Sequence, residues 1–275
     1  MKTVRIAGIA LKWLFCDKEA TCERVEKLIR EAAANGARIV ATSECFLDGY
    51  LGGDGLLPRK MTLELAEPVP GGVYCRRLAV LAGELKINLA AGLTERDGER
   101  MFVSAVLFGP EGEHVGTYRK EKLAPCDRHR RTPGDGPAVF DSPYGRIGFR
   151  ICYDRTHPDV VKATFDAGAD FLVILSGGVY GENNTRMVCS RARENKRHVI
   201  FTHPVHFFAV NPDGSVLAEA QFGGKGAQED AKNCVHDLVN VHGIKRGMCI
   251  GTEQIGTEPD TNGVGYCEIP VRGKG

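Results

Sequence analysis

Three short stretches set an acid, a lysine and a cysteine at the ends of apolar runs: Glu44 in "ATSECFLDGY", Lys120 in "GTYRKEKL" and Cys152 in "IGFRICYD". In open α/β sheets ligands gather outside the carboxyl ends of strands, so polar residues just past apolar runs are the first to examine for a site. Each also has an ordinary structural use: the cysteine as a buried hydrophobe, the lysine in solvent after a hairpin, the glutamate on an exposed edge. Together they form a working set for attack on a carbonyl or nitrile carbon. The thiolate is the nucleophile, and a desolvated carboxylate of raised proton affinity can take the thiol proton and later return it to departing ammonia. That makes Cys152 the candidate nucleophile and Glu44 the candidate general base and acid. An ammonium and a backbone N–H beside the nucleophile stabilise the developing oxyanion, which points to Lys120 and the amide of Tyr153.

Such a set needs elements that carry it, and the chain reads as strands and helices in alternation. Val4 to Leu11 is strand-like; Cys22, Val25, Ile29, Ala32 and Ala33 then recur at helical spacing, with Asp17 as N-cap and Asn35-Gly36 as the stop. Arg38 to Ser43 is the next strand, Val73 to Leu85 a second helix and Ile87 to Leu93 another strand. Phe102 to Phe108 and His114 to Arg119 flank "GPEGE" as a hairpin. Further on come Val139-Phe140, the turn "SPYG", a strand from Arg146 to Cys152, a helix from about Pro158 to Ala167 and a strand from Asp170 to Leu175. Thr185 to Arg197 is helical, His198 to Thr202 a strand, and "NPDG" at 211 to 214 a hairpin turn. The expectation is an α/β fold in one domain over residues 1–275, with an irregular, Gly-rich tail from about Gly223.

Composition narrows the function classes. Of 275 residues 43% are hydrophobic and 26% charged, with a formal net charge of +1, which gives no footing for a polyanionic partner or an anionic membrane surface. No apolar run approaches the roughly 18 residues a membrane span requires, and the start lacks a signal-peptide core, so a cytoplasmic chain is expected. The ten cysteines are scattered without a C-x-x-C pair, which fits neither a disulfide scaffold nor a zinc ribbon; most read as reduced, buried small hydrophobes.

The three motifs, as "SECFLDGYL", "YRKEKL" and "IGFRICYDRTHPDVVKATFDAGADFLVILS", resemble the nitrilase-like carbon–nitrogen hydrolases over most of residues 1 to about 220. "RARENKRHVIF" and "NPDGSVLAE" are similar to that family's later helix, strand and hairpin. The resemblance implies a four-layer α-β-β-α sandwich, paired into a homodimer or higher homo-oligomer. It implies Glu44 as base and acid, Lys120 as oxyanion stabiliser and Cys152 as nucleophile, with no cofactor, no metal and no nucleic-acid partner. A supporting glutamate usual in the family falls on Asp127, one methylene shorter, and Ser43 and Lys122 replace a usual proline and histidine. "CYD" resembles the amidase and carbamoylase branches more than true nitrilases. The implied substrate is a small linear amide or N-carbamoyl compound, cleaved with water through a thioester; nitrile hydrolysis, or a family fold kept for binding metabolites or partners, stands as the alternative. Arg155 resembles an arginine with which carbamoylases grip a substrate carboxylate, although pairing with Asp154 or Asp159 is an equal use of it. Ser176 opens the loop "SGGVYGENN", which is expected to line the pocket.

Two other features have simpler explanations. His203 and His206 in "HPVH" lack an H-E-x-x-H helix and an evident third ligand, so they read as strand or turn histidines. The basic stretch "DRHRRTPGD" reads first as a solvated surface loop and second as an anion-gripping entrance.

Overall fold

The computed structural model describes residues 2–14, 16–50, 57–222 and 262–271. In chain order it contains β1 (Lys2–Ala10), α1 (Lys18–Ala34), β2 (Ile39–Ala41), α2 (Arg59–Leu65), β3 (Glu67–Pro68), α3 (Val73–Leu85), β4 (Asn88–Asp97), β5 (Arg100–Phe108) and β6 (His114–Arg119). After these come β7 (Val139–Ser142), β8 (Gly145–Ile151), α4 (Pro158–Asp166), β9 (Phe171–Leu175), α5 (Glu182–Asn195), β10 (His198–His203), β11 (His206–Val210), β12 (Val216–Gln221) and β13 (Gly263–Val271). The strands form two sheets, one ordered β13-β1-β2-β4-β5-β6 with β3 beside β4, the other β12-β11-β10-β9-β8-β7.

Side-chain alternation along the strands dictates how the sheets stack. A strand's successive residues point to opposite faces. In β9, Phe171, Val173 and Leu175 join a core that also holds Ile6, Val103, Ala105 and Leu107 of the other sheet, while Leu172 and Ile174 turn the opposite way to meet Val161 of α4 and Val188 and Ala192 of α5. In β1, Val4 and Ile6 enter the shared core, whereas Ala7 and Ile9 face Cys22, Val25 and Ile29 of α1 and Leu78 and Leu81 of α3. Three apolar cores thus separate four layers, helices outside and two sheets within. The sheets approach most closely where Phe207 of β11 lies over glycine backbone; a Cβ on Gly8 or Gly265 would come within 2.2 or 2.4 Å of that ring.

The expected elements recur with shifted ends, and three differ in kind. The run at 38–43 yields a strand of only three residues, because Thr42 already leaves the ladder to start the turn that carries Glu44. The short helix α2 had no periodic signal. Within the tail expected to be irregular, residues 263–271 form β13, which pairs antiparallel with β1 from Lys2↔Val271 to Ala10↔Gly263. Residues 223–261 lie outside the described residues.

Candidate active site

Glu44 is positioned by a turn that closes on β4 and on the second sheet. Thr42 N donates to Ala90 O at 2.9 Å, Gly92 N to Thr42 Oγ1 at 2.9 Å, Phe46 N to Gly92 O at 3.1 Å, and Glu44 N to Ser176 O at 3.3 Å. Only a glycine at 92 permits this approach, since a Cβ there would stand 2.2 Å from Ser43 O. The Glu44 side chain has no solvent exposure, and its carboxylate accepts from Lys120 Nζ at 2.8 Å and from Gly177 N at 2.9 Å.

Lys120 follows β6 and is held through its backbone, donating from N to Val103 O at 2.8 Å and accepting from Gly134 N at 2.9 Å. Its ammonium, also fully enclosed, donates to Glu44 and to Asp127 Oδ2, each at 2.8 Å. An ammonium has three donors, so one remains. Asp127 accepts a further hydrogen bond on Oδ1 from Tyr50 Oη at 2.8 Å. Two carboxylates therefore share one ammonium in a dry site. Burial, reinforced by the charge of Asp127, pushes the Glu44 carboxyl above the usual carboxylate range, with Lys120 and a hydrogen bond from Cys152 pulling the other way. Burial alone would lower Lys120, but Glu44 and Asp127 outweigh it and hold the ammonium well above its ordinary range. Burial and the same carboxylates raise Tyr50, which stays a phenol.

Cys152 comes directly off β8 and opens a 3-10 helix, Cys152–Thr156, with φ at 43°. That left-handed backbone is uncommon outside glycine and costs of order 1–3 kcal/mol. It is held by Asp154, whose carboxylate accepts from Ile151 N at 2.9 Å, Lys122 N at 2.7 Å and Tyr118 Oη at 2.7 Å. Cys152 and Tyr50 reach the wall of a cavity of about 360 Å³, which Ala124, Pro125, Val179 and Met187 make largely apolar. Tyr153, in the first turn of the short helix, also lines it, where first-turn N–H groups lack helical partners.

The structure thus gathers Glu44, Lys120 and Cys152 from three distant segments, with Asp127 joined to them through Lys120. Glu44, Lys120, Asp127 and Ser176 are not among the residues that line the cavity, and the buried Ser176 hydroxyl has no hydrogen-bond partner. Arg155 does line it, and pairs with neither Asp154 nor Asp159; it donates to Asn184 Oδ1, Val179 O and Cys152 Sγ. Lys122 turns its ammonium to Glu121 at 3.3 Å. The basic stretch is not wholly a surface loop, because Asp127 and Arg131 are buried while Arg128 and His129 are exposed. His203 uses both ring nitrogens, Nε2 on Gly178 O at 2.8 Å and Nδ1 accepting from Val205 N at 3.3 Å, while His206 meets Glu219 at 2.7 Å. Among the described residues no three metal-ligating side chains converge. Sequence reasoning did not single out Tyr50, which lay within the quoted glutamate motif, nor Gly177 and Asn184 individually, although both belong to the loop "SGGVYGENN" expected to line the pocket, and Gly178, Val179, Asn183 and Asn184 of that loop do line it.

Comparison with known proteins shows the class to which this two-sheet sandwich belongs. The family described as Carbon-nitrogen hydrolase matches residues 4–237, and the chain belongs to that family. It is 32% identical to omega-amidase NIT2 of Homo sapiens over 247 residues, covering 80% of this chain and 85% of that protein. It is 34% identical to the bifunctional nitrilase/nitrile hydratase NIT4A of Lupinus angustifolius over 182 residues, 61% of this chain. The chain spans about half that relative's length, 52%. Among solved structures, Saccharomyces cerevisiae Nit3 superposes with a TM-score of 0.74 at 19% identity, covering 97% of this chain and 90% of that one. An amidase from Nesterenkonia sp. AN1 does so with a TM-score of 0.74 at 18% identity, covering 97% and 91%.

Proposed function

We propose that this protein hydrolyses a small linear amide, or an N-carbamoyl compound, through a thioester on Cys152, with release of ammonia. The observation that carries the reading is Cys152 on the wall of an apolar cavity, with Glu44, Lys120 and Asp127 enclosed beside it. Glu44 takes the thiol proton, and the sulfur adds to the amide carbon. The resulting oxyanion is held by the third N–H of Lys120 and the backbone N–H of Tyr153. Glu44 then delivers its proton to the nitrogen, the C–N bond breaks, and ammonia leaves a thioester behind. Water, deprotonated by Glu44, attacks that carbonyl; the C–S bond breaks, the proton returns to sulfur and the carboxylic acid departs. A carboxyl raised by burial suits both proton transfers.

Support for an amide over a nitrile comes from Tyr153-Asp154 after the cysteine and from the length of the match. The human omega-amidase aligns with 80% of this chain, the lupin nitrilase with 61%. The Nesterenkonia amidase has been crystallised as a mutant with butyramide, and in another mutant carries the acetamide moiety of fluoroacetamide on its active site cysteine. The test is an ammonia-release screen over small primary amides, N-carbamoyl amino acids and nitriles. Turnover of amides is expected; ammonia from nitriles alone overturns the amide assignment. Silence across all three, with Cys152 still the most reactive thiol, favours a binding protein.

A further inference from the structure

Arg155 is 3% exposed, lines the cavity and is charged at any working pH. It is held from three sides: Nε donates to Asn184 Oδ1 at 2.5 Å, Nη2 to Val179 O at 2.9 Å and Nη1 to Cys152 Sγ at 3.4 Å. Its own carbonyl accepts from Arg191 Nε at 3.0 Å, so backbone and guanidinium are both fixed. None of these partners carries a formal negative charge. Among the described residues no carboxylate pairs with Arg155, whereas the equally buried Arg150 meets Glu121 at 3.0 Å and Lys120 meets two carboxylates. A buried cation without a counter-ion is costly. The group already in contact that can become an anion is the Cys152 sulfur.

We propose that Arg155 is a catalytic residue that acts on the nucleophile, its Nη1 holding the Cys152 thiolate when Glu44 takes the thiol proton. The proposal rests on the reading of Cys152 as nucleophile. In that step the S–H bond breaks, an O–H bond forms on Glu44, and negative charge moves from the carboxylate beside Lys120 to the sulfur beside Arg155. Because the proton passes between two groups inside the site, the net charge of the site is the same before and after the transfer. No net charge has to be created in a dry pocket, and Asn184 with Val179 O keeps the guanidinium aimed at the sulfur. The other groups facing this pair are Tyr50 and Cys126, both raised by burial and so neutral, and His203, which burial pushes down to about 3 and keeps neutral. The thiolate is therefore met by the Arg155 guanidinium.

A grip on a substrate carboxylate, the other use of Arg155, leaves Cys152 untouched when no substrate is present, and that separates the two. Alkylation of Cys152 by iodoacetamide is measured on the full chain without substrate from pH 5.5 to 9.5, with peptide mass mapping to resolve it from the other cysteines. In Arg155→Gln the rate at pH 7 is expected to fall about tenfold and to converge on wild type at pH 9.5, where a thiol ionises unaided. Asn184→Ala, which frees the guanidinium without removing it, should show a severalfold loss and carries the test if Arg155→Gln does not fold. On propionamide, which has no carboxylate, both variants should lose kcat with KM within about twofold. Unchanged alkylation in folded variants, with losses confined to KM for carboxylated substrates, overturns the proposal alone. Turnover that survives Cys152→Ala overturns both it and the thioester reading beneath it.

Discussion

Two buried charge clusters both draw on the segments after β6 and β8, and they use their hydrogen bonds differently. In the first, Arg150 donates from Nε to Thr164 Oγ1 at 2.7 Å and from Nη1 to Tyr118 Oη and Glu121 at 2.9 and 3.0 Å, while Nη2 reaches Val160 O. Tyr118 in turn donates to Asp154, which also takes the backbone N–H groups of Ile151 and Lys122. Every member is satisfied by protein, and the net result is to tie the segment after β6, which carries Lys120, to the segment after β8, which carries Cys152. In the second cluster, Glu44, Asp127, Lys120, Cys152 and Arg155 are as well enclosed but retain unused capacity: a third ammonium N–H, a carboxyl raised by burial, and a cation without a carboxylate. The first cluster is a closed brace; the second keeps donors and charge in reserve beside a cavity that Cys152 and Arg155 line, as the proposed reaction requires.

The sharpest way to break this comparison is to exchange the phenotypes. Cys152→Ala should abolish amide turnover by on the order of 10⁴-fold or more with a wild-type urea midpoint, and Glu44→Gln should lower turnover per folded molecule by about 10²–10⁴-fold. Arg150→Met should do the reverse. Removing one partner of a buried pair costs roughly 3–5 kcal/mol, read from urea denaturation, while kcat per folded molecule falls only severalfold. An Arg150→Met protein of normal stability and no activity would put the brace inside the mechanism.

A smaller effect belongs to His203, whose two ring nitrogens are both engaged and which therefore sits on the satisfied side. Burial lowers it from 6.5 to about 3, so between those values the unfolded chain binds a proton that the folded chain does not. Stability must then rise with pH across that window and level off above it. His203→Gln keeps a donor for Gly178 O and removes the titration. Its stability loss between pH 7 and pH 5 should be smaller than wild type's by about 2 kcal/mol, with turnover at pH 8 unchanged.

The residues that were legible in the sequence are those whose local pattern and role coincide. Glu44, Lys120 and Cys152 each lie just past the end of a strand, and it is their combination, with the family motifs around them, that marks them as a set. Arg155 shows the opposite case. Its neighbours in sequence, Asp154 and Asp159, were the natural ion-pair partners, yet Asp154 is consumed by two backbone amides and Tyr118, and Arg155 instead meets Asn184 and Val179 across the cavity. Arg131 is similar: a charge run reads as solvated, but side-chain direction is set by the fold, and this member turns inward toward Thr94 Oγ1 at 3.3 Å. β13 escaped because "GVGYCEIPV" carries two glycines and a proline that weaken its alternation, and its partner is the first strand of the chain. Pairing across the whole sequence leaves no local trace.

The finest probe of the second cluster is Asp127, which does not line the cavity and acts on it through its charge and through its hydrogen bonds to Lys120 and Tyr50. Its carboxylate raises Glu44 by repulsion while helping to hold Lys120. In Asp127→Asn the repulsion disappears, so Glu44 should release its proton at lower pH, and the acid limb of kcat/KM, where the base is lost to protonation, should move down. Lys120 keeps Glu44 as a partner and remains an ammonium, so the loss of rate at the optimum should be modest, about tenfold. Asp127→Glu keeps the charge and should leave the limb in place. The sign carries the argument: a limb that stays fixed in Asp127→Asn, or moves up, means that the titrating base is not a carboxylate facing Asp127, and Glu44 then belongs with the brace rather than with the reaction.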